Sequence, residues 1–252
     1  KAIQCFQKIF DAFRQNLLTK DELVVLKKNE LNKIELSSVD SEMEKSLQLI
    51  DMVNIYPLYQ QWKKERNWID YGDMITEFWK LMKNNIDVLE MVQNMYKHVV
   101  VDEFQDNNYA LSCIVDLIAY PDNSITVVGD DDQCIYSFRG ANTYNITDFN
   151  NSYQNCQDFL SIPLMHNYRS NQGILDLANH TIQHNPDRVD KGMLESDKKN
   201  EELPLLLIGD LDQQHIAIHK QISDLQLNGV SLDSIAILCR TNPQCERISN
   251  FL

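Results

Sequence analysis

Two acidic turns, each directly after a short apolar run, are the part of this sequence best suited to chemistry. Asp102 and Glu103 follow the run 99–101, and the turn 130–133 (Asp-Asp-Asp-Gln) follows the run 125–128. One carboxylate in such a place can ligate Mg2+, and a second can accept a proton from an attacking water. A single acidic turn is more often only a solvated loop. Two of them at neighbouring strand ends predict a hydrolytic site.

Further polar and aromatic residues follow these turns. Gln133 can donate and accept a hydrogen bond at once, which suits a contact to a terminal phosphate or to a water. Tyr136, Phe138 and Arg139 come next, and aromatic rings beside an arginine are typical of a platform on which single-stranded bases stack. The alternative for this segment is a half-buried strand. Arg169 lies where a strand is expected to meet a helix and could reach a phosphate.

The apolar pattern predicts the elements that position these side chains. From residue 98 onward, strands alternate with helices, which indicates an α/β fold with a parallel sheet. In such a sheet, the loops at the carboxyl ends of the strands carry the functional residues. Asn107 or Asn108 is expected to cap the helix after the first strand. The predicted strands cover 99–101, 125–128, 160–164, 205–208 and 235–238, and the predicted helices cover 109–119, 142–150, 172–184 and 213–227.

Helical spacing of apolar residues dominates the chain before residue 96. We expect a helical accessory segment at 1–55, part of a first α/β lobe at 56–158 and part of a second lobe at 159–252. In the apolar stripe of residues 71–82, core packing is expected for Phe78, Trp79 and Met82.

Charge and composition limit the class of protein. Of the 252 residues, 43% are hydrophobic, which is enough for one large or two modest cores. The net charge of −14 argues against a protein that coats nucleic acid by bulk electrostatics, but it leaves room for a local DNA groove. No Lys or Arg lies between residues 98 and 138, so the acidic side chains there need a cation from elsewhere.

The six cysteines show no disulfide or zinc spacing, and the sequence contains no signal peptide and no long apolar span. We therefore expect reduced thiols in a cytoplasmic protein without membrane contact. The chain begins with Lys1 and its last residues lie in a predicted helix, so we expect it to be a piece of a longer protein.

Four segments, taken together and in this order, resemble the UvrD/Rep-type superfamily 1 DNA helicases. They are VVVDEFQD (99–106), VVGDDDQCIYSFRGA (127–141), LMHNYRS (164–170) and AILCRTNPQCERISNFL (236–252). The resemblance is specific from about residue 56 onward, and residues 1–55 match only by position. It implies parts of two RecA-like lobes of the P-loop NTPase type. It also implies an enzyme that couples ATP hydrolysis to 3′-to-5′ movement on single-stranded DNA and to duplex unwinding, in DNA repair, replication or recombination.

The resemblance further implies a nucleotide site. Asp102 would be the Walker B carboxylate that holds Mg2+, with Glu103 beside it as the general base for water. Gln133 and Arg169 would contact the γ-phosphate of ATP, and Tyr168 would stack on the adenine.

The resemblance also implies a DNA surface, in which Tyr136, Phe138 and Arg139 would lie under the single strand. The implied partners are single-stranded DNA, junctions between single- and double-stranded DNA, and repair or replication proteins. The family usually has Trp in place of Phe138 and Thr in place of Asn107. Because Phe stacks with less area than Trp, the coupling of steps is expected to differ.

One part of the family's site is missing from these 252 residues. They contain no Gly-x-x-x-x-Gly-Lys-Ser/Thr phosphate loop and none of the family's last motifs. We therefore expect the parent to be an ATP-dependent helicase and this fragment alone to be inactive.

Alternative functions stay open at this point. The chain could be a non-catalytic DNA-binding or assembly remnant of a helicase, or the motor part of a helicase-nuclease subunit. A phosphate-loop lysine upstream would favour the enzyme over the remnant, and a nuclease domain downstream would mark the third possibility. The pairs His180/His184 and His215/His219 have a spacing compatible with zinc, but no further ligand is obvious, so exposed helical histidines are expected.

Overall fold

The computed structural model describes residues 2–36, 39–119, 124–142, 144–185, 188–189, 191–199 and 206–252. The chain divides into two compact units. The first comprises residues 1–163 and 185–191, and the second comprises 164–184 and 192–252. The segment 185–191 therefore belongs to the first unit although second-unit residues flank it on both sides.

Five helices open the first unit. They are α1 (Ala2–Gln15), α2 (Lys20–Leu36), α3 (Asp40–Glu65), α4 (Tyr71–Asn84) and α5 (Ile86–Met95). The first three enclose a core of Phe10, Phe13, Leu23, Met52 and Val53. Helical spacing thus predicts this region correctly. Helix α3 runs through residue 55, where the predicted accessory segment ends, and the three-part domain division stays a prediction.

A buried ionic cluster joins α1 and α3 to the start of α4. Arg14 donates to Asp70 Oδ2 at 2.7 Å, and Lys63 Nζ donates to the same oxygen at 2.9 Å. Both cations also contact Asp73, which forms a capping box with Asp70 at the start of α4. The side chains of Arg14 and Lys63 are 7% and 4% exposed. Charges buried this deeply need partners, and the cluster supplies them.

A small α/β layer follows, with β1 (Val99–Val101), α6 (Tyr109–Ala119), β2 (Ile125–Val127) and α7 (Asn145–Tyr153). The two strands pair in parallel, with Val99 opposite Ile125. This layer confirms the predicted α/β fold class. Asn108 Oδ1 accepts from Leu111 N at 3.0 Å, so Asn108 caps α6, whereas Asn107 ends the preceding 3-10 turn.

Fewer residues of the apolar stripe of α4 lie in the core than the sequence predicts. Met82 is fully buried, and Ile75 and Trp79 pack around it in the core that α4 shares with α5 and α6. Phe78 is 37% exposed. For Phe78 the prediction of core packing was wrong, because the core covers only the side of the helix that carries residues 75, 79 and 82.

The second unit contains α8 (Gln172–Ile182), α9 (Leu211–Leu227) and α10 (Asn242–Phe251). Within its described residues, the only β pairing is an isolated parallel bridge between His166 and Glu195. Helices α8 and α9 lie where helical spacing predicts them.

The later strands were predicted wrongly. Residues 160–164, 206–208 and 235–238 form no strand, and residue 205 lies outside the described residues. Leu164, Ile208 and Leu238 are 76%, 91% and 93% exposed. A strand forms only where a neighbour supplies its ladder hydrogen bonds, so an apolar run without such a neighbour stays unpaired.

In the described part of the chain, no helix has the length and apolar character that crossing a membrane requires. All six cysteines are free thiols.

Candidate active site

The parallel pairing of β1 and β2 brings the two acidic turns to one edge of the sheet. Val128 N donates to Val101 O at 2.8 Å, and Phe104 N donates to Val128 O at 2.9 Å, so the backbone pairing continues past the end of β1. The turn 102–103 therefore lies beside the turn 130–133. The sequence predicts this juxtaposition from the order of the elements.

The first turn exposes two carboxylates. Glu103 has φ 50° and ψ 44°, the left-handed region that residues with a β-carbon seldom adopt. Its N–H donates to Asp102 Oδ1 at 2.9 Å. Both side chains are exposed, and neither has a recorded ion pair among the described residues. An arrangement of this kind can bind a divalent cation and hold a water.

The second turn places Gln133 at the same edge. Asp130 Oδ1 accepts from Asp132 N at 3.1 Å, and Asp130 Oδ2 accepts from Gln133 Nε2 at 2.8 Å. The exposed amide of Gln133 is therefore oriented by Asp130, the first residue of the same turn.

Two cations far away in sequence form ion pairs with the three carboxylates of the second turn. Lys191 Nζ lies 2.6 Å from Asp131 Oδ1 and 2.9 Å from Asp132 Oδ2, and it also contacts Asp130. Arg188 Nη2 lies 2.8 Å from Asp132 Oδ2. Burial by itself lowers the pKa of Lys191, but hydrogen bonds to the three carboxylates outweigh it and raise that pKa.

These ion pairs decide what the second turn can bind. One oxygen from each of its three carboxylates lies within 4.8 Å of the others, close enough to share a metal ion. Burial raises the pKa of Asp132, but its bonds to Arg188 and Lys191 prevail and lower it. The cations that the carboxylates of the second turn need are thus supplied by the protein itself. The first turn differs from the second, because its described carboxylates form no ion pair with a protein cation.

Two buried amides that the sequence analysis did not select hold the first turn in place. Gln105 bonds to the Glu103 carboxylate, and Asn145 Nδ2 donates to Asn107 O at 2.7 Å and Phe104 O at 3.3 Å. The position of Gln105, two residues after Glu103, was a usable signal. Nothing in the sequence pointed to Asn145, which lies on α7.

The aromatic platform is a turn and not a strand. Ser137–Arg139 forms a single 3-10 turn. The rings of Tyr136 and Phe138 lie 5.8 Å apart at 56°, and Phe138 is 75% exposed. The alternative of a half-buried strand was therefore wrong. The side chain of Arg139 lies outside the described atoms, so its predicted contact with DNA stays a prediction.

In the second unit, Asn167 shapes the turn before α8. Its Oδ1 accepts from Arg169 N at 3.0 Å and from Ser170 N at 2.7 Å. Tyr168 is 79% exposed, and its ring lies 4.5 Å from that of His166. Arg169 is exposed, and its backbone oxygen accepts from Lys198 Nζ at 3.2 Å. Both predicted nucleotide contacts of this unit therefore face solvent.

His180, His215 and His219 lie on helices, as the sequence predicts, whereas His184 lies just after the end of α8. The rings of His180 and His184 are 5.4 Å apart on and just after α8, and His184 Nδ1 lies 3.0 Å from the His180 carbonyl oxygen. His215 packs against Phe251, with ring centroids 5.1 Å apart.

Two family domains match this chain, one over the first unit's turns and one over the later residues. Residues 4–154 match the family described as the UvrD/REP helicase N-terminal domain, and residues 162–252 match the UvrD-like helicase C-terminal domain. The chain belongs to the UvrD/REP helicase family. Membership in this family confirms the predicted fold class, with parts of two RecA-like lobes.

Curated UvrD/REP relatives align with most of this chain. A probable DNA helicase II homolog of Mycoplasma capricolum is 35% identical over 188 residues, 75% of this chain and 26% of its own length. The ATP-dependent DNA helicase PcrA of Leuconostoc citreum is 34% identical over 80% of this chain and 27% of its own length. PcrA of Staphylococcus aureus is 34% identical over 86% and 29%. The chain thus spans little more than a quarter of these relatives.

Proposed function

We propose that this chain is part of an ATP-dependent DNA helicase that moves 3′-to-5′ along single-stranded DNA and separates duplexes. The observation that carries the proposal is the parallel pairing of β1 and β2, which sets the turn 102–103 beside the turn 130–133. The polarity comes from the resemblance alone. Because the chain spans little more than a quarter of its relatives, the activity is proposed for the whole protein.

The first acidic turn suits Mg2+ and a water. Asp102 offers an exposed carboxylate at a strand end, the oxygen donor that Mg2+ prefers. When bound, the ion would neutralise charge on the phosphates of ATP. Glu103 would accept the proton of the attacking water, since it lies beside Asp102 and is fixed by two hydrogen bonds.

Three further residues would bind ATP. Gln133 would contact the γ-phosphate. This contact would link the nucleotide to the aromatic platform, which follows Gln133 in the chain. Arg169 would contact the same phosphate, and Tyr168 would stack on the adenine through its exposed ring. The exposure of Tyr168 and Arg169 supports their roles, and the exposed amide of Gln133 is oriented by its hydrogen bond to Asp130.

The aromatic turn suits single-stranded DNA. Phe138 presents an exposed ring beside Tyr136, and stacking on such rings tolerates any base sequence. The net charge of −14 is compatible with this, because the contact relies on ring faces rather than on bulk charge. Junction binding, repair or replication partners and a cytoplasmic location stay predictions.

Glu103→Gln in the full-length protein tests the proposal. Loss of the general base is expected to lower DNA-stimulated ATP hydrolysis by about 100- to 10,000-fold. Binding of a fluorescent ATP analogue should survive, because the substitution keeps the size and the hydrogen-bonding capacity of the side chain. The matched control is Glu90→Gln, an exposed glutamate on α5, which should hydrolyse ATP like the wild type.

Full ATP turnover in the Glu103→Gln protein would show that Glu103 is not the base. Wild-type protein that binds DNA but hydrolyses no ATP would instead favour the non-catalytic remnant.

A further inference from the structure

Gln105 is one of the two largest fully buried side chains in the first unit, with 2% of its surface exposed. Its Nε2 donates to Glu103 Oε2 at 2.7 Å, and its Oε1 accepts from Asp130 N at 3.0 Å. One amide thus joins the first acidic turn to the second.

We propose that Gln105 is a positioning residue that holds the carboxylate of Glu103 in place and couples it to Gln133. The coupling runs from Glu103 to Gln105, then to Asp130, whose Oδ2 accepts from Gln133 Nε2 at 2.8 Å. The inference rests on the proposed function, in which Glu103 activates water and Gln133 contacts the γ-phosphate.

The orientation of the Gln105 amide follows from chemistry. A backbone N–H can only donate, so the atom that faces Asp130 N must be the amide oxygen. The NH2 group is left to face Glu103, and it can only donate. This suits an ionised carboxylate, which only accepts.

The backbone around Gln105 is built for this close contact. A β-carbon on Gly129 would lie 2.7 Å from Gln105 Oε1 and 3.2 Å from Phe104 N, so only glycine fits there without displacement. Glu103 adopts φ 50°, a left-handed conformation that is strained for a residue with a side chain. A strained turn needs contacts that fix it, and Gln105 supplies one of them.

A set of variants in the full-length protein tests the inference. Gln105→Met removes both hydrogen bonds at similar size and is expected to lower kcat for ATP about 10- to 100-fold, because a shift of about 1 Å in a reacting group can cost on the order of 100-fold. The KM for ATP should change little, because Gln105 is buried and does not face the nucleotide. Gln93→Met is the matched control, since Gln93 also donates from a half-buried amide, to Leu117 O at 2.7 Å.

Gln105→Glu guards against simple misfolding. It keeps an acceptor for Asp130 N but turns a donor into an acceptor opposite Glu103. Retained thermal stability with a similar loss of kcat supports the inference. Wild-type kcat in a stably folded Gln105→Glu protein would overturn it.

The double variant Glu103→Gln/Gln105→Met separates a positioning role from a merely structural one. If Gln105 acts through Glu103, then Gln105→Met lowers kcat in the wild type but not in the Glu103→Gln background. An equal loss in both backgrounds would overturn the inference while leaving the proposed function intact. Full turnover in Glu103→Gln alone would overturn both.

Discussion

At the scale of single residues, the chain departs from the usual pattern of its family at the proposed DNA platform. Phe138 stands where the family usually has Trp, and its ring is 75% exposed. Phe138 therefore offers a smaller stacking surface, and Tyr136, with its ring 5.8 Å away, is close enough to form part of the same surface.

Phe138→Ala in the full-length protein is expected to weaken binding of a labelled oligothymidylate by about 10-fold, because stacking on one base contributes about 1–3 kcal/mol. Fluorescence anisotropy measures this directly. Phe138→Trp should bind at least as tightly as the wild type. Tyr71→Ala is the control, since Tyr71 is another ring of the first unit and is 91% exposed. Equal affinities of Phe138→Ala and Tyr71→Ala would exclude a stacking role.

At the scale of elements, the apolar pattern of the sequence predicted the elements whose position depends on local spacing. Strand β1 and helix α6 lie where the apolar pattern places them, and the two acidic turns meet because the carboxyl ends of parallel strands share an edge. The strands expected at 160–164 and 235–238 do not form, because strand pairing depends on a neighbour that one sequence segment does not specify.

The cations that pair with the second acidic turn could not be predicted either, because they are distant in sequence. Arg188 and Lys191 lie 56 and 61 residues from the aspartates they contact, and no periodicity connects such distant positions. Gln105 could have been found, because it lies two residues after Glu103.

The ionic cluster at the start of α4 predicts a stability that depends on pH. Partial burial raises the pKa of Asp70, but the Lys63 hydrogen bond, the Asp73 N–H and the Arg14 charge outweigh it and lower that pKa to about 2. Below the usual pKa of aspartate, about 3.9, the unfolded chain binds more protons than the folded chain. The stability from Asp70 is therefore complete above about pH 5 and is lost as the pH falls towards 2.

Asp70→Asn removes this charge but keeps a side chain that can cap α4. Between pH 5 and 2, its free energy of unfolding should fall less steeply than that of the wild type. Urea titrations followed by tryptophan fluorescence report on the first unit, because Trp62, Trp68 and Trp79 all lie in it. Asp51→Asn is the control, an exposed carboxylate on α3 with no recorded ion pair in the described residues. Parallel curves for Asp70→Asn and the wild type would contradict the prediction.

At the scale of the whole molecule, the 252 residues would carry one side of the proposed nucleotide site. Asp102, Glu103 and Gln133 are present, but the sequence contains no Gly-x-x-x-x-Gly-Lys-Ser/Thr loop to bind the phosphates. That loop supplies backbone N–H groups that bind the α- and β-phosphates and a lysine that reaches the β- and γ-phosphates.

Purified residues 1–252 should therefore show no DNA-stimulated ATP hydrolysis above background. A coupled assay with and without single-stranded DNA measures this, with the full-length protein as the positive control. Turnover that disappears on Glu103→Gln would contradict the prediction, because that activity would arise from the fragment's own site.

The segment 185–191 limits how the gene for this protein can recombine with that of a relative. By sequence it lies within the match to the C-terminal family domain, yet it belongs to the first structural unit and brings Arg188 and Lys191 to the turn 130–132. The two regions that match the family domains, residues 4–154 and 162–252, therefore cannot be exchanged independently of each other. A recombinant that took residues 1–163 from a distant relative would acquire a foreign acidic turn and keep the old cations. Substitutions on the two sides must be compatible with each other, although about sixty residues separate them in the gene.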